Sequence, residues 1–295
     1  MAEFSRRSAL RWLILPLLVA VMLVGAVVLT LPDDKLHVSF LDVGQGDAIL
    51  VQTPNHQNIL IDGGPSPKAL NLELGKKLPF WDRTIDLVVS TQPQADHLAG
   101  LVEVLERYKV NEVVESGVPY NSSVYQEWNN SVNESGVRRN RAIAGQEVDL
   151  GGGIKLEVLN PPGELFQGTS DDVDNNGVVL KLEWGEVSFL LTADIRWDGE
   201  IELIQERPGL QSTVLKVAHH GSNSSTTEQF LAVVDPQAAV ISVGNNTYGH
   251  PANETVERLE GVVGKENIYR TDDNGTVEFI TNGERLWVRE EKTPS

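Results

Sequence analysis

Leu87-Val88-Val89-Ser90-Thr91-Gln92-Pro93-Gln94-Ala95-Asp96-His97-Leu98-Ala99-Gly100 is the stretch that decides how this chain is read. A short apolar run closes at Ser90 and a polar turn follows. Leu98, Leu101, Val102 and Leu105 then recur at helical spacing. A strand over 85–90 and a helix over 98–109 thus bracket a loop holding Asp96 and His97. In α/β architectures the loops at strand carboxyl ends converge to form a site.

Outward from there the arrangement repeats. Asn58-Ile59-Leu60-Ile61-Asp62-Gly63-Gly64 ends an apolar run on Asp62, and Asp194 follows a strand over 187–191. His219 and His220 follow a strand over 214–217, and His250 lies past one over 238–243. Each residue also has a structural reading. Asp62 before two glycines fits a turn, Asp96 and Asp194 fit helix caps, and His219-His220 could bond loop backbone. The joint pattern outweighs them, because four of the six histidines stand at strand-to-loop exits. Five loops bearing carboxylates and imidazoles point to a metal centre. His37, at a strand start, and His56, in a turn, are read as structural.

Other strands are expected over 36–41, 48–52, 154–159, 178–184, 276–281 and 286–288, with helices over 197–205, 228–233 and 253–259. Residues 119–140 are rich in Asn and Ser and read as a surface insertion with one short helix. Residues 36–150 and 151–290 each run from strand-rich to helix-bearing, which suits two packed sheets with helices outside. The division expected is 1–34, a basic stub and anchor, 35–288, the body, and 289–295, a polar tail.

The chain has 295 residues, 40% of them hydrophobic, so it can bury a sizeable core. It contains no cysteine, which removes disulfides, thiolate zinc sites and cysteine nucleophiles together. Its formal charge is −18, and with residues 1–32 at +2 the remainder carries −20. Such a body repels bare phosphate backbones except where bound cations or local basic groups intervene, which argues against a general nucleic-acid coat protein. Lys76-Lys77 and Arg138-Arg139 with Arg141 are the sparse basic groups.

Residues 12–31, beginning at Trp12 and closing at Leu31, hold no charge and would span about 30 Å as a helix. Arg6, Arg7 and Arg11 precede the run and Asp33 and Asp34 follow it, so a single-pass anchor with the body outside the cytoplasm is expected. A cleaved signal peptide is the alternative, but the run is long for one and no A-x-A precedes Pro32.

Leu41-Asp42-Val43-Gly44-Gln45-Gly46-Asp47-Ala48, Leu60-Ile61-Asp62-Gly63-Gly64, Leu191-Thr192-Ala193-Asp194, Leu215-Lys216-Val217-Ala218-His219-His220-Gly221-Ser222, Ile241-Ser242-Val243-Gly244 and Tyr248-Gly249-His250-Pro251 stand in this order. Together they resemble the metallo-β-lactamase-like hydrolase domain at the C-terminal end of ComEC/Rec2 DNA-uptake proteins, over about residues 36–290. The resemblance implies an αββα sandwich with metal ions at one edge and hydrolysis, often of phosphodiesters. With one span, the chain is not expected to be a DNA channel itself.

The resemblance also shows a departure. The family motif His-x-His-x-Asp-His meets Gln92, Gln94, Asp96 and His97, so both first-ion histidines are glutamines. Carried over residue by residue, it gives Asp96, His97, Asp194 and His250 as ligands of one divalent ion, zinc or manganese, with Asp62 in support. One of His219 and His220 then assists phosphate chemistry by protonating the leaving oxygen, while Asp96 or Asp194 accepts the proton of water. Just before the strand over 178–184, where another first-ion ligand belongs, the chain has Asp171-Asp172-Val173-Asp174-Asn175-Asn176. Three functions follow: an anchored hydrolase acting on phosphodiesters such as nucleic acid, an inactive binding or scaffold module, or a hydrolase of small esters or lactams.

Overall fold

The computed structural model describes residues 16–17, 33–79 and 81–292. Apart from Pro16 and Leu17, the expected anchor lies outside the described residues. Among the described residues no helix is long and apolar enough to cross a membrane. Residues 34–295 form one compact body.

The body is built on two sheets. The first runs β1 (Leu36–Phe40), β2 (Ile49–Gln52) and β3 (Asn58–Ile61), then continues after a helix with β5 (Leu87–Ser90), β7 (Glu112–Glu115) and β8 (Arg138–Arg141). A two-strand ribbon, β4 (Thr84–Ile85) and β6 (Lys109–Val110), flanks it. The second sheet contains β9 (Glu147–Gly151), β10 (Ile154–Asn160), β11 (Val179–Trp184), β12 (Val187–Leu191), β13 (Val214–Lys216), β14 (Ala238–Ile241) and β15 (Ile268–Arg270). The last strands, β16 (Val277–Thr281) and β17 (Leu286–Glu290), return to the first sheet, where β16 pairs antiparallel with β1.

Period-two alternation fixes the layers. Val38, Phe40, Ile49, Val51, Ile59 and Ile61 face the second sheet and pack with Leu156, Leu180, Phe189 and Phe279 in the central core. Leu50, Leu60 and Val88 point the other way, against α1 (Pro67–Lys77), α2 (Ala95–Arg107) and α3 (Ser123–Ser135). On the far side Leu190, Leu215, Ala239 and Ile241 pack against α5 (Trp197–Glu206), α6 (Glu228–Val234) and α7 (Asn253–Val263), while α4 (Asp172–Asn175) and α8 (Thr271–Asn274) are short turns. Helix, sheet, sheet and helix stack in the expected αββα order.

Three expectations are corrected. Asp96 and His97 lie in the first turn of α2, not in a loop before it, because the helix starts at Ala95. Residues 119–140 are not a surface insertion. Helix α3 buries Trp128, whose Nε1 donates to Glu115 Oε2 at 3.2 Å, and β8 extends the sheet beside β7. Of the basic groups, Arg139 lies 2.7 Å from Glu115 and Lys76, on α1, lies 2.6 Å from Glu73. Finally, the two halves exchange strands, since β16 and β17 complete the first sheet.

Strands β3, β5, β7 and β8 are mutually parallel, as are β12, β13, β14 and β15. Parallel neighbours deliver their carboxyl ends to one edge, which is how distant loops come together.

Candidate metal centre

At that edge Asp96, His97, Asp194 and His220 bring four potential ligand atoms within 4.8 Å of one another. His97 Nε2 lies 3.2 Å from Asp194 Oδ2 and 4.0 Å from Asp96 Oδ2. His220 Nε2 lies 3.3 Å from Asp194 Oδ2 and 3.4 Å from Asp96 Oδ2. A tetrahedral ion with bonds of about 2.0–2.2 Å requires ligand edges of about 3.3–3.6 Å. Three of these four separations fall within 0.1 Å of that range. His220 completes the quartet in the place the sequence reading gave to His250. The ring of His250 stands 5.4 Å from that of His219, with its Nδ1 buried and without a hydrogen-bond partner.

Both imidazoles are turned by their second nitrogen. His97 Nδ1 lies 2.8 Å from Asp62 Oδ2, and Asp62 is itself held by Thr91 N at 2.7 Å and Thr91 Oγ1 at 2.6 Å. His220 Nδ1 donates to Ser242 O at 2.8 Å. With Nδ1 engaged, each Nε2 faces Asp194, whose carboxylate only accepts. Nε2 of His220 therefore has no hydrogen-bond partner, and neither does Asp194 Oδ1. With neutral imidazoles these lone pairs would meet in a buried place, so the site must hold either protons or a cation, and a divalent ion fits this donor set.

The electrostatics agree. Burial alone would lower His97 and His220, but Asp194 outweighs it, with Asp62 also acting on His97. His97 is lifted well above the usual imidazole range and His220 to about 10. Burial alone would raise Asp194, yet His220 and His97 hold it well below the ordinary carboxylate range. The quartet is an acidic pocket that collects positive charge.

Two further residues support it. Lys216, 1% exposed, places Nζ 2.5 Å from Asp47 Oδ2, donates to Ala193 O at 2.9 Å and lies 3.7 Å from Asp194 Oδ1. By strand parity Lys216 shares the inward side of β13 with Val214, so a lysine where an apolar residue belongs was the available signal. The loop carrying Asp47 is fitted between both halves. A Cβ on Gly46 would stand 2.1 Å from Asp96 O, and one on Gly244 would stand 2.4 Å from Gly44 C. Only glycine permits those approaches.

The backbone is held in costly conformations around this edge. Asp62, Ala193, His219 and His220 have φ of 59°, 48°, 50° and 52°. Each left-handed residue costs about 1–2 kcal/mol, a cost that persists where the surroundings over-determine the geometry. His219 N donates to Ala193 O at 3.1 Å, which ties two of these residues together.

The neighbouring position, where the histidine motif is broken, is filled differently. Gln94 Nε2 donates to Asp174 Oδ1 at 2.7 Å, and Arg196 Nε donates to Asp174 Oδ2 at 2.7 Å. His219 Nδ1 lies 3.8 Å from that same carboxylate. Gln92 is buried and its Oε1 has no partner. Burial, with repulsion from Asp194 and Asp171, raises Asp174 to about 6. Asp194 caps no helix: Asn175 Oδ1 takes Arg196 N at 2.9 Å and Gly199 N at 3.1 Å at the start of α5.

Residues 41–245 match the sequence profile of the metallo-beta-lactamase superfamily. The chain is 31% identical over 264 residues to ComE operon protein 3 of Bacillus subtilis, covering 82% of this chain and 33% of that protein. It is 29% identical over 252 residues to competence protein ComA of Neisseria gonorrhoeae, covering 84% and 33%. It is 28% identical over 261 residues to recombination protein 2 of Haemophilus influenzae, covering 87% and 30%. The chain thus spans about a third of the length of these relatives. Among solved structures it resembles the metallo-beta-lactamase fold protein YhfI from Bacillus subtilis, with TM-score 0.55, 11% identity and coverage of 87% of this chain and 100% of that one. Igni18, a metallo hydrolase from Ignicoccus hospitalis, gives TM-score 0.52 and 17% identity, covering 82% and 98%. The matched stretch runs from the loop of Asp47 to the end of β14 and encloses the whole quartet, and on that ground the chain belongs to the metallo-beta-lactamase superfamily.

Proposed function

We propose that this chain is a membrane-anchored, extracytoplasmic hydrolase of phosphodiester or related ester bonds. It would work with one divalent ion, zinc or manganese, held by Asp96, His97, Asp194 and His220. The observation that carries this reading is the pair of imidazoles pinned through Nδ1, with both Nε2 atoms turned to one carboxylate. A bound ion of this kind polarises a phosphoryl oxygen and activates water near neutral pH. The rest falls to the chain. Asp62 and Ser242 keep His97 and His220 from turning away, and Lys216 holds Asp47 beside them. Asp96, 36% exposed on its side chain, opens the quartet to solvent and so to substrate.

His219 is the proton carrier in this scheme. Its Nδ1 is buried without a hydrogen-bond partner, and burial, against the pull of Asp194, lowers its pKa below the usual imidazole range. A neutral imidazole at pH 7 can take a proton from an attacking water and return it to the leaving oxygen. The resemblance left His219 and His220 interchangeable. Anchoring through residues 12–31 and an outward-facing body belong to the same proposal, carried by the arginines before that run.

Gln92 and Gln94 favour a second reading, a module that keeps one ion and binds without cleaving. Losing one ion of a two-metal clamp removes stabilisation from one of the two reacting oxygens and slows hydrolysis by orders of magnitude. Metal analysis of the purified chain beside turnover of a generic phosphodiester separates the two. One tightly held ion with hydrolysis supports the first reading, one ion without hydrolysis supports the second, and no ion defeats both.

A further inference from the structure

We propose that Tyr248 is a stacking platform for an unpaired nucleobase that flanks the phosphate on which the proposed hydrolase acts. The proposal rests on that reading for the reacting phosphate and on separate observations for the base. Tyr248 is 75% exposed, more than any other large apolar side chain among the described residues. A tyrosine ring left in water forgoes the burial that usually stabilises it. Lone exposed aromatics are common, so exposure alone carries nothing. Two further features do.

The first is that the segment presenting Tyr248 is rigidly built. Asn246 Oδ1 accepts from Tyr248 N at 3.0 Å and His250 N at 3.1 Å. Its Nδ2 donates to Gly244 O at 2.9 Å and His250 O at 2.8 Å. One side chain thus fixes four backbone groups around a surface ring, and little ordering entropy remains to be lost when a ligand stacks on it.

The second is where the ring stands. Tyr248 leans on His250 at 5.9 Å between centroids and 34° between planes. His250 contacts His219 at 5.4 Å, and His219 contacts His220 of the quartet at 6.2 Å. A row of rings therefore leads from the exposed tyrosine to the candidate metal centre, with the unpartnered Nδ1 of His250 along it. A phosphate at the quartet would leave its flanking nucleotide over this row. The base must be unpaired, because a paired base keeps its faces within the duplex stack.

Charge supports the same assignment. A chain of formal charge −18 cannot hold a polyanion by a broad basic surface. Affinity must come from few local contacts, and stacking is one that carries no charge and tolerates any base.

The test uses the full chain with Mn2+ and three ligands of equal length: oligothymidylate, the same strand without bases, and a duplex. Affinity is read by fluorescence anisotropy before turnover and cleavage is followed separately. Oligothymidylate is expected to bind about 5- to 150-fold tighter than the abasic strand, and tighter than duplex. Tyr248→Ala should erase the preference and Tyr248→Trp should keep it. The ratio should hold between ~50 and ~200 mM salt, because stacking releases no counterions. Equal binding of the first two strands, or a preference surviving Tyr248→Ala, overturns the proposal while cleavage shows the hydrolase reading intact. Base-dependent binding without cleavage upholds Tyr248 and defeats the hydrolase reading instead.

Discussion

Two positions lie side by side at the edge where the sheets' parallel strands end. In one, Asp96, His97, Asp194 and His220 aim their acceptors at a common point, and both histidines are oriented from behind. In the other, Gln94, Asp174 and Arg196 aim at one another. The first is a set of groups short of a cation, and the second has supplied its own. Asp174 takes an amide proton on one oxygen and a guanidinium on the other, which leaves little for an incoming ion. The polar groups at the second position are thus satisfied by one another, while those at the first are not.

The contrast can be broken hardest through Lys216. If the quartet depends on this internal cation, Lys216→Met should destabilise the body by about 3–5 kcal/mol, because Asp47 stays buried without its close cationic partner. Urea unfolding measures this, and Asp47→Asn in the same chain should recover most of the loss. A single variant as stable as the parent would show that the pair is not what holds this edge together.

Next in size is Asp194→Ala, which removes the carboxylate that faces both imidazoles and should weaken metal binding by more than about 100-fold, or ~2.7 kcal/mol. Asp62→Asn should weaken it by about 10- to 100-fold through its hold on His97. Calorimetric titration with Zn2+ or Mn2+ ranks the two. Equal losses would mean that Asp62 binds the ion rather than its ligand.

Proton balance sharpens the comparison further. His220 is raised to about 10 in the metal-free chain, so it carries a proton at pH 8, and the carboxylates beside His97 push it in the same direction. Metal binding there should release at least one proton per ion, seen as a dependence of the titration heat on buffer ionisation. The sign also follows for stability. Metal-free, the favourable charged form of His220 is fully present below its unfolded value near 6.5 and is lost as pH rises through about 10. Unfolding of the stripped protein should therefore become easier across that window, and added metal should reverse it.

The smallest expected gain is at the second position. Gln92→His with Gln94→His supplies two imidazoles, but Asp174 stays committed to Arg196. Metal analysis should show a weak second ion at most, and adding Arg196→Ala, which frees the carboxylate, should strengthen it. Tight binding in the double variant alone would show that the Asp174 network is no obstacle.

Much of this was legible in the sequence, for identifiable reasons. Alternation placed the core strands, and the polar residues after each strand marked the edge, because that pattern depends on local spacing alone. His220 could not be told from His219, since adjacent residues differ in direction only once their left-handed backbone is known. Lys216 stood in plain view within an apolar strand, but its partner Asp47 lies on the other sheet's side of the fold. Strand β8, Arg138-Arg139-Asn140-Arg141, has no apolar residue to announce it and is held as an edge by pairing with β7. The role of Asn175 as a cap for α5 spans 21 positions to Arg196 and leaves no local trace.

The pairing of β1 with β16 also bears on synthesis. His37 meets Glu278 across 241 positions of sequence, so one of the first strands made must wait for one of the last. At ~5–20 residues per second that wait is on the order of 10 to 50 s. Throughout it β1 can pair with β2 on one side only, and its other edge is an open template for any extended chain nearby. Nascent chains of this protein should therefore need shielding until residue 281 has emerged. A premature stop before β16 would release a body with that edge still open, prone to aggregate rather than merely weakened.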